Sequence, residues 1–132
     1  MSRKSKGINA ERELIHLFWA NGWAATRVAG SGASRYPTPD IIAGNGTAKL
    51  AVECKSGKGD YIYLEKPEIE NLKKFSKIFG AEPVVGARFS NNNWFFVMAD
   101  NLRETENNFV VTREESGISF ELLIKHPRTS LP

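Results

Sequence analysis

Apolar positions along this chain follow two periods, and the change from one to the other marks its elements. From about Ile8 to Asn21 the apolar residues Ile8, Leu14, Ile15, Leu17 and Phe18 recur at helical spacing, and Gly22 is placed to end the helix. Ala24 to Val28 reads as a short strand. Ala29 to Pro39 is rich in Gly, Ser and Pro and reads as a loop. Two apolar runs follow, Asp40 to Ala43 and Leu50 to Cys54, around Gly44-Asn45-Gly46. They are apolar on both faces, as central strands covered on both sides are. Tyr61 to Leu64 predicts a brief extended piece. Pro67 suits the first turn of a second helix, with Ile69, Leu72, Phe75 or Ser76, and Phe79 on one face and Gly80 as its stop. Pro83 to Phe89 and Trp94 to Met98 predict another hairpin across Asn91 to Asn93. Asn108 to Thr112 reads as a further strand, and Ile118 to Ile124 is apolar without a decisive period. Helix, three strands, helix, two strands and a C-terminal addition predict an α/β fold, a mixed central β-sheet flanked by helices.

The chain has 132 residues, enough for one domain with a real core. Residues 1–7 read as a flexible basic arm carrying Arg3, Lys4 and Lys6, and residues 126–132 as a flexible tail. No apolar run approaches membrane-spanning length and no charged-then-apolar leader opens the chain, so the expectation is a cytoplasmic protein with no membrane partner. The single cysteine, Cys54, excludes an internal disulfide framework and a CxxC zinc site, and reads first as a small core residue. The net charge of +3 and pI of about 9.1 permit a nucleic-acid partner without requiring one. Arg12, Arg27, Arg35, Lys55 and Lys58 lie within or beside the segments discussed next; an ordinary solvated surface would also account for them.

The segment from Asp40 to Lys55 sets pattern against chemistry. An acid opens the first apolar run, and Glu53 and Lys55 close the second. A two-residue Asn45-Gly46 turn would set Gly44 against Thr47 and Asp40 against Ala51. Glu53 then shares Asp40's sheet face as its diagonal neighbour, Lys55 shares that face, and Ile41, Ala43, Leu50, Val52 and Cys54 take the other. A one-residue slip would separate the two acids. Two neighbouring carboxylates repel, and a hard divalent cation relieves the repulsion; Mg²⁺ is commonly held by one or two carboxylates and several waters. A metal, a positioned water and a lysine suit phosphodiester hydrolysis. Glu11 lies on the apolar stripe of the first helix, three residues before Leu14, where an acid either snorkels to the edge or faces a site. A turn-flanking acid and a cross-strand salt bridge are the competing account of Asp40, Glu53 and Lys55. His16 and His126 stand apart from any cluster, and no Walker loop, GxGxxG or Ser/His/Asp order is present.

Pro39-Asp40 followed by Glu53-Cys54-Lys55 resembles the PD-(D/E)xK nuclease signature. Further segments match in the same order: Ala10 to Leu14, Arg27 to Ser31, Pro39 to Ala43, Glu53 to Ser56, Ile62 to Leu64 and Phe75 to Gly80. Together, over most of residues 7–125, they resemble the archaeal-type Holliday junction resolvases. The resemblance implies a restriction-endonuclease-like fold, a two-fold homodimer and Mg²⁺-dependent cutting of two opposed strands at a four-way DNA junction, with Mn²⁺ able to substitute. It implies that Asp40 and Glu53 are metal ligands, that Cys54 contributes its backbone carbonyl, and that Glu11 completes the acidic cluster through a metal-bound water. Lys55 would position or activate the attacking water. Arg12 and Arg27 would hold backbone phosphates, with Arg3, Lys4, Lys6, Arg35 and Lys58 as further DNA contacts. Ser31 would act near the scissile phosphate, although the inserted-looking Arg35-Tyr36-Pro37 leaves Ser34 as a rival. Phe75 and Phe79 match aromatic positions at the dimer surface, and either could instead be core. Replication or recombination accessory proteins are possible further partners. Another PD-(D/E)xK repair or restriction nuclease, a non-catalytic junction-binding module and a structural partner in a larger assembly are the alternatives.

Overall fold

The computed structural model describes residues 3–30, 35–90, 93–113 and 117–125, with backbone alone for 3–6 and 8. The elements in order are α1 (Arg3–Ala20), β1 (Ala24–Arg27), β2 (Ile41–Gly44), β3 (Lys49–Gly57), β4 (Tyr61–Glu65), α2 (Lys66–Phe79), β5 (Glu82–Phe89) and β6 (Phe95–Met98). A 3-10 turn at Ala99–Asn101 leads into β7 (Arg103–Glu104), β8 (Asn108–Thr112), β9 (Ile118–Ser119) and α3 (Phe120–Lys125). Six strands form a sheet in the order β1-β2-β3-β5-β6-β9. Only β3 and β5 run parallel in it; the helix between them supplies the crossover that parallel pairing needs. The expected mixed sheet with flanking helices is what the chain builds.

The alternation of β3 divides the core in two. Leu50 and Val52 face one layer with Ile41, Ala43, Leu14 and Phe18, against which Cys54 packs. Ala51 faces the other with Ile69 and Leu72 of α2, Val85 and Ala87. So α1 covers one face of the strand and α2 the other.

Four features depart from the sequence expectation. First, α1 is helical from Arg3, so the expected arm lies largely within the helix; Arg and Lys extend a helix at little cost even where no apolar stripe marks the turn. Second, β4, β8 and β7 form a separate three-stranded sheet, with Tyr61 opposite Thr112 and Leu64 opposite Phe109. Third, Ile118 to Ile124 divides between β9 and α3. Fourth, the β2–β3 turn spans Asn45 to Ala48, because Gly44 pairs with Lys49 rather than facing Thr47. Asn45 explains the longer turn. Its Oδ1 accepts the backbone N–H groups of Thr47 at 2.9 Å and Ala48 at 2.7 Å, and its own N–H donates to the Ala48 carbonyl at 3.1 Å. Gly46 takes φ +99°, a value that suits glycine.

Candidate active site

Asp40 lies immediately before β2, and backbone contacts to β3 hold it. Its N–H donates to the Val52 carbonyl at 3.0 Å, and its Oδ2 accepts the Cys54 N–H at 2.8 Å. Since Ile41 pairs with Val52, the next step of the register sets Asp40 opposite Glu53. The diagonal relation expected from a two-residue turn is thereby corrected to a direct one. Both turns contain an even number of residues, so the shared face survives.

Glu53 is the most perturbed acid of the group. Burial raises its carboxyl from 4.5 to about 8, with the charges of Asp40 and Glu68 adding to the rise and Lys55 opposing it. Glu11 reaches the group from α1. Burial and the Asp40 charge raise its carboxyl, while the Arg27 guanidinium, whose Nε donates to Oε1 at 3.0 Å, pulls it back. The apolar stripe therefore carries Glu11 toward the acids. Cys54 is half-buried; burial, with the charges of Asp40 and Glu11, pushes its thiol well above the ordinary range. That thiol is no nucleophile.

Lys55 forms an ion pair with Glu68 of α2, Nζ to Oε2 at 2.7 Å. Burial acts to lower its pKa, but the Glu68 hydrogen bond and the charges of Glu68, Glu53 and Asp40 outweigh it, and the net shift is upward. Lys55 is thus an ammonium at neutral pH, suited to donating hydrogen bonds and opposing negative charge. Sequence reasoning passed over Glu68. Its only local signal is an acid at the third position of a helix beginning near proline, which reads as a capping residue. Glu13 was passed over too: its carboxylate accepts from Arg88 Nη1 at 3.0 Å and Trp94 Nε1 at 3.1 Å, tying α1 to β5 and the segment entering β6.

The remaining expected site residues are more dispersed. Arg12 is exposed on α1 beside Asn9, Glu13 and His16. Arg35 is exposed, and so is Lys58 just beyond β3. The Lys58–Asp60 loop is fixed from below: Arg113 donates to the Lys58 and Gly59 carbonyls at 3.0 and 3.1 Å and lies over the Phe89 ring. Phe75 packs on the α2-side core, and Phe79 stacks on it with centroids 5.2 Å apart while remaining 45% exposed. Ser31 and Ser34 lie outside the described residues, as do the side chains of Arg3, Lys4 and Lys6 and the tail 126–132.

Among the described residues, no three His, Cys, Asp or Glu side chains form a ready-made cation cage. The donor set still fits a hard cation. Asp40 and Glu53 offer carboxylate oxygens, and burial, with the charges of Asp40 and Glu68 adding to it, penalises the ionised form of Glu53, a penalty that a bound cation would offset. No helix among the described residues is long and apolar enough to cross a membrane.

Comparison with known proteins adds a family to this geometry. The family model described as archaeal Holliday junction resolvase (hjc) matches residues 2–131. A crossover junction endodeoxyribonuclease Hjc of Archaeoglobus fulgidus is 42% identical over 119 residues, covering 90% of this chain and 88% of the relative. Its namesake from Sulfolobus acidocaldarius is 36% identical over 131 residues, covering 96% and 91%. The solved structure of the Archaeoglobus fulgidus Hjc, a Holliday junction resolvase from an archaeal hyperthermophile, superposes with a TM-score of 0.77 at 42% identity over 81% of this chain and 88% of that one.

Proposed function

The chain belongs to the archaeal Holliday junction resolvase family, and from that premise we propose that it is a structure-specific endodeoxyribonuclease that resolves four-way DNA junctions by paired phosphodiester hydrolysis on opposed strands. The carrying observation is the convergence of Asp40, Glu53 and Lys55 at one end of the β2–β3 pair, with the Glu53 carboxyl pushed to about 8 by burial and neighbouring charge.

Membership of a resolvase nuclease family suggests a divalent metal requirement; we assign Mg²⁺, with Mn²⁺ as a substitute, to Asp40 and Glu53. The Cys54 carbonyl would be a third donor, and Glu11 would complete the acidic cluster beside them. Such an ion, when bound, supplies charge to the scissile phosphate and acidifies a water. The protein's own groups do the rest. The Cys54 N–H and the Val52 carbonyl hold Asp40 in place. Lys55, as an ammonium, orients the water and opposes charge developing on the phosphate. Arg27 restrains Glu11 and, with Arg3, Lys4, Lys6, Arg12, Arg35 and Lys58, forms the phosphate-contacting surface. The loop serine, Ser31 or its rival Ser34, serves the scissile phosphate.

Residues 1–132 act as one nuclease domain, and two copies form a homodimer matching the two-fold symmetry of the junction. The exposed Phe79 and Ile78, the latter 80% exposed, support α2 as the dimer surface. Action on DNA junctions fits the expected cytoplasmic location.

Synthetic four-way junctions test the proposal. Asp40→Ala and Glu53→Ala are expected to abolish Mg²⁺-dependent nicking while a mobility-shift titration shows junction affinity largely retained. Wild-type cutting by either variant overturns the site assignment. Equal cutting of linear duplex and junction would favour a general PD-(D/E)xK nuclease, and junction binding without cutting by the wild type would favour a binding module.

A further inference from the structure

Glu68 is held at both ends of its carboxylate. Oε2 accepts from the Lys55 ammonium at 2.7 Å, and Oε1 accepts the Glu65 backbone N–H at 3.0 Å at the start of α2. The helix that carries it is seated on the β3 face by Ile69 and Leu72, both buried. The position of this carboxylate is therefore set by the backbone and packing of α2 rather than by a free rotamer. Three acids act on Lys55: Glu53 from its own strand, Asp40 from the residue before β2, and Glu68 from α2. Of these, Glu68 alone holds the ammonium in an ion pair, and it does so from the helix side.

We propose that Glu68 is a positioning residue for the cleavage reaction, holding the Lys55 ammonium on the α2 side of the site and away from the carboxylates of Asp40 and Glu53. The inference rests on the assignment of Lys55 to the reaction made above. The physical argument is competition. A lysine on a flexible stem, two strand positions from Glu53, will pair with whichever carboxylate is nearest. Without Glu68 the other acids acting on Lys55 are Glu53 and Asp40, the groups assigned to the cation, so the ammonium would compete for cation-binding oxygens and lose its direction toward the attacking water. With Glu68 fixed by a backbone hydrogen bond, the ammonium has a partner that does not compete for the ion.

Glu68→Gln separates this role from helix capping, because a glutamine at the same position still accepts the Glu65 N–H. Single-turnover cleavage of a four-way junction at saturating Mg²⁺ is expected to slow roughly tenfold or more in E68Q, the scale on which a small misplacement of a reacting group acts. Junction affinity and melting temperature should remain near wild type. Calorimetric titration of E68Q with Mg²⁺, without DNA, should show weaker binding. The Lys55 ammonium signal in ¹H–¹⁵N spectra, assigned by its loss in Lys55→Ala, should disappear or shift. Cutting by E68Q at or above the wild-type rate, or an unchanged ammonium signal, overturns the proposal while the function stands, provided Lys55→Ala is inactive. If Glu68→Ala is slow and E68Q is normal, the effect belongs to the cap and the positioning role is overturned. Wild-type cutting by Lys55→Ala would overturn both the proposal and the role given to Lys55.

Discussion

Glu53 carries a proton where an exposed glutamate would not, and this gives the residue a measurable signature. In the folded protein its carboxyl titrates at about 8, against 4.5 for an ordinary glutamate. Between those values the native state binds a proton that the unfolded chain has released. The stabilisation is full below about 4.5 and is lost as pH rises through about 8. The metal-free melting temperature, measured in EDTA, should therefore fall across that window, and Glu53→Gln should flatten the slope. A cation ligand must be deprotonated, so Mg²⁺ affinity should rise over the same window and binding should release a proton. Calorimetry in buffers of different ionisation enthalpy reads that proton directly; a pH-independent affinity would contradict the burial of Glu53.

At the level of elements, the turn between β2 and β3 sets which residue faces Asp40. Asn45 closes that turn through two accepted backbone N–H groups. Asn45→Ala should cost about 1 kcal/mol in urea denaturation, the ordinary net worth of such bonds. Gly80 ends α2 with φ +86° and its N–H on the Ser76 carbonyl at 2.9 Å, so Gly80→Ala should cost about 1 kcal/mol as well. Both are checked by the shift in denaturation midpoint at constant slope. These elements also show what the sequence reveals. The face shared by Asp40, Glu53 and Lys55 was legible because it depends on parity, which a turn of two or four residues leaves unchanged. The exact opposition was not, since it depends on a side-chain-closed turn at Asn45. Glu11's place on the apolar stripe left it between the helix edge and a site, and only its Arg27 partner and the Asp40 charge acting on it set it beside the acids. Glu68 was not legible, because its bond to Lys55 spans a strand, a loop and a helix start, and only packing of α2 on β3 brings the two together. The β4–β8 pairing was hidden for the same reason: partners more than forty positions apart leave no local pattern.

For the whole molecule, the exposed end of α2 makes a prediction about assembly. Phe79→Glu places a charge on the exposed apolar surface. For the proposed homodimer it should shift the sedimentation coefficient toward that of a monomer and uncouple the two nicks at a junction, with the single-site chemistry intact. A variant that stays dimeric in analytical ultracentrifugation would move the interface elsewhere. Strand β3 has one hydrophobic core on each side. It works as a ruler shared by two layers. Glu53 and Lys55 are separated by one pleat repeat, about 7 Å, whatever packs above or below them. Apolar replacements of similar volume in either layer should then leave the spacing of the reactive groups as it is. A single residue inserted into β3 between Val52 and Glu53 would turn both charged side chains toward the α1-side core. The interior can therefore be repacked with apolar residues of similar volume, but this strand cannot be lengthened by one without breaking the site.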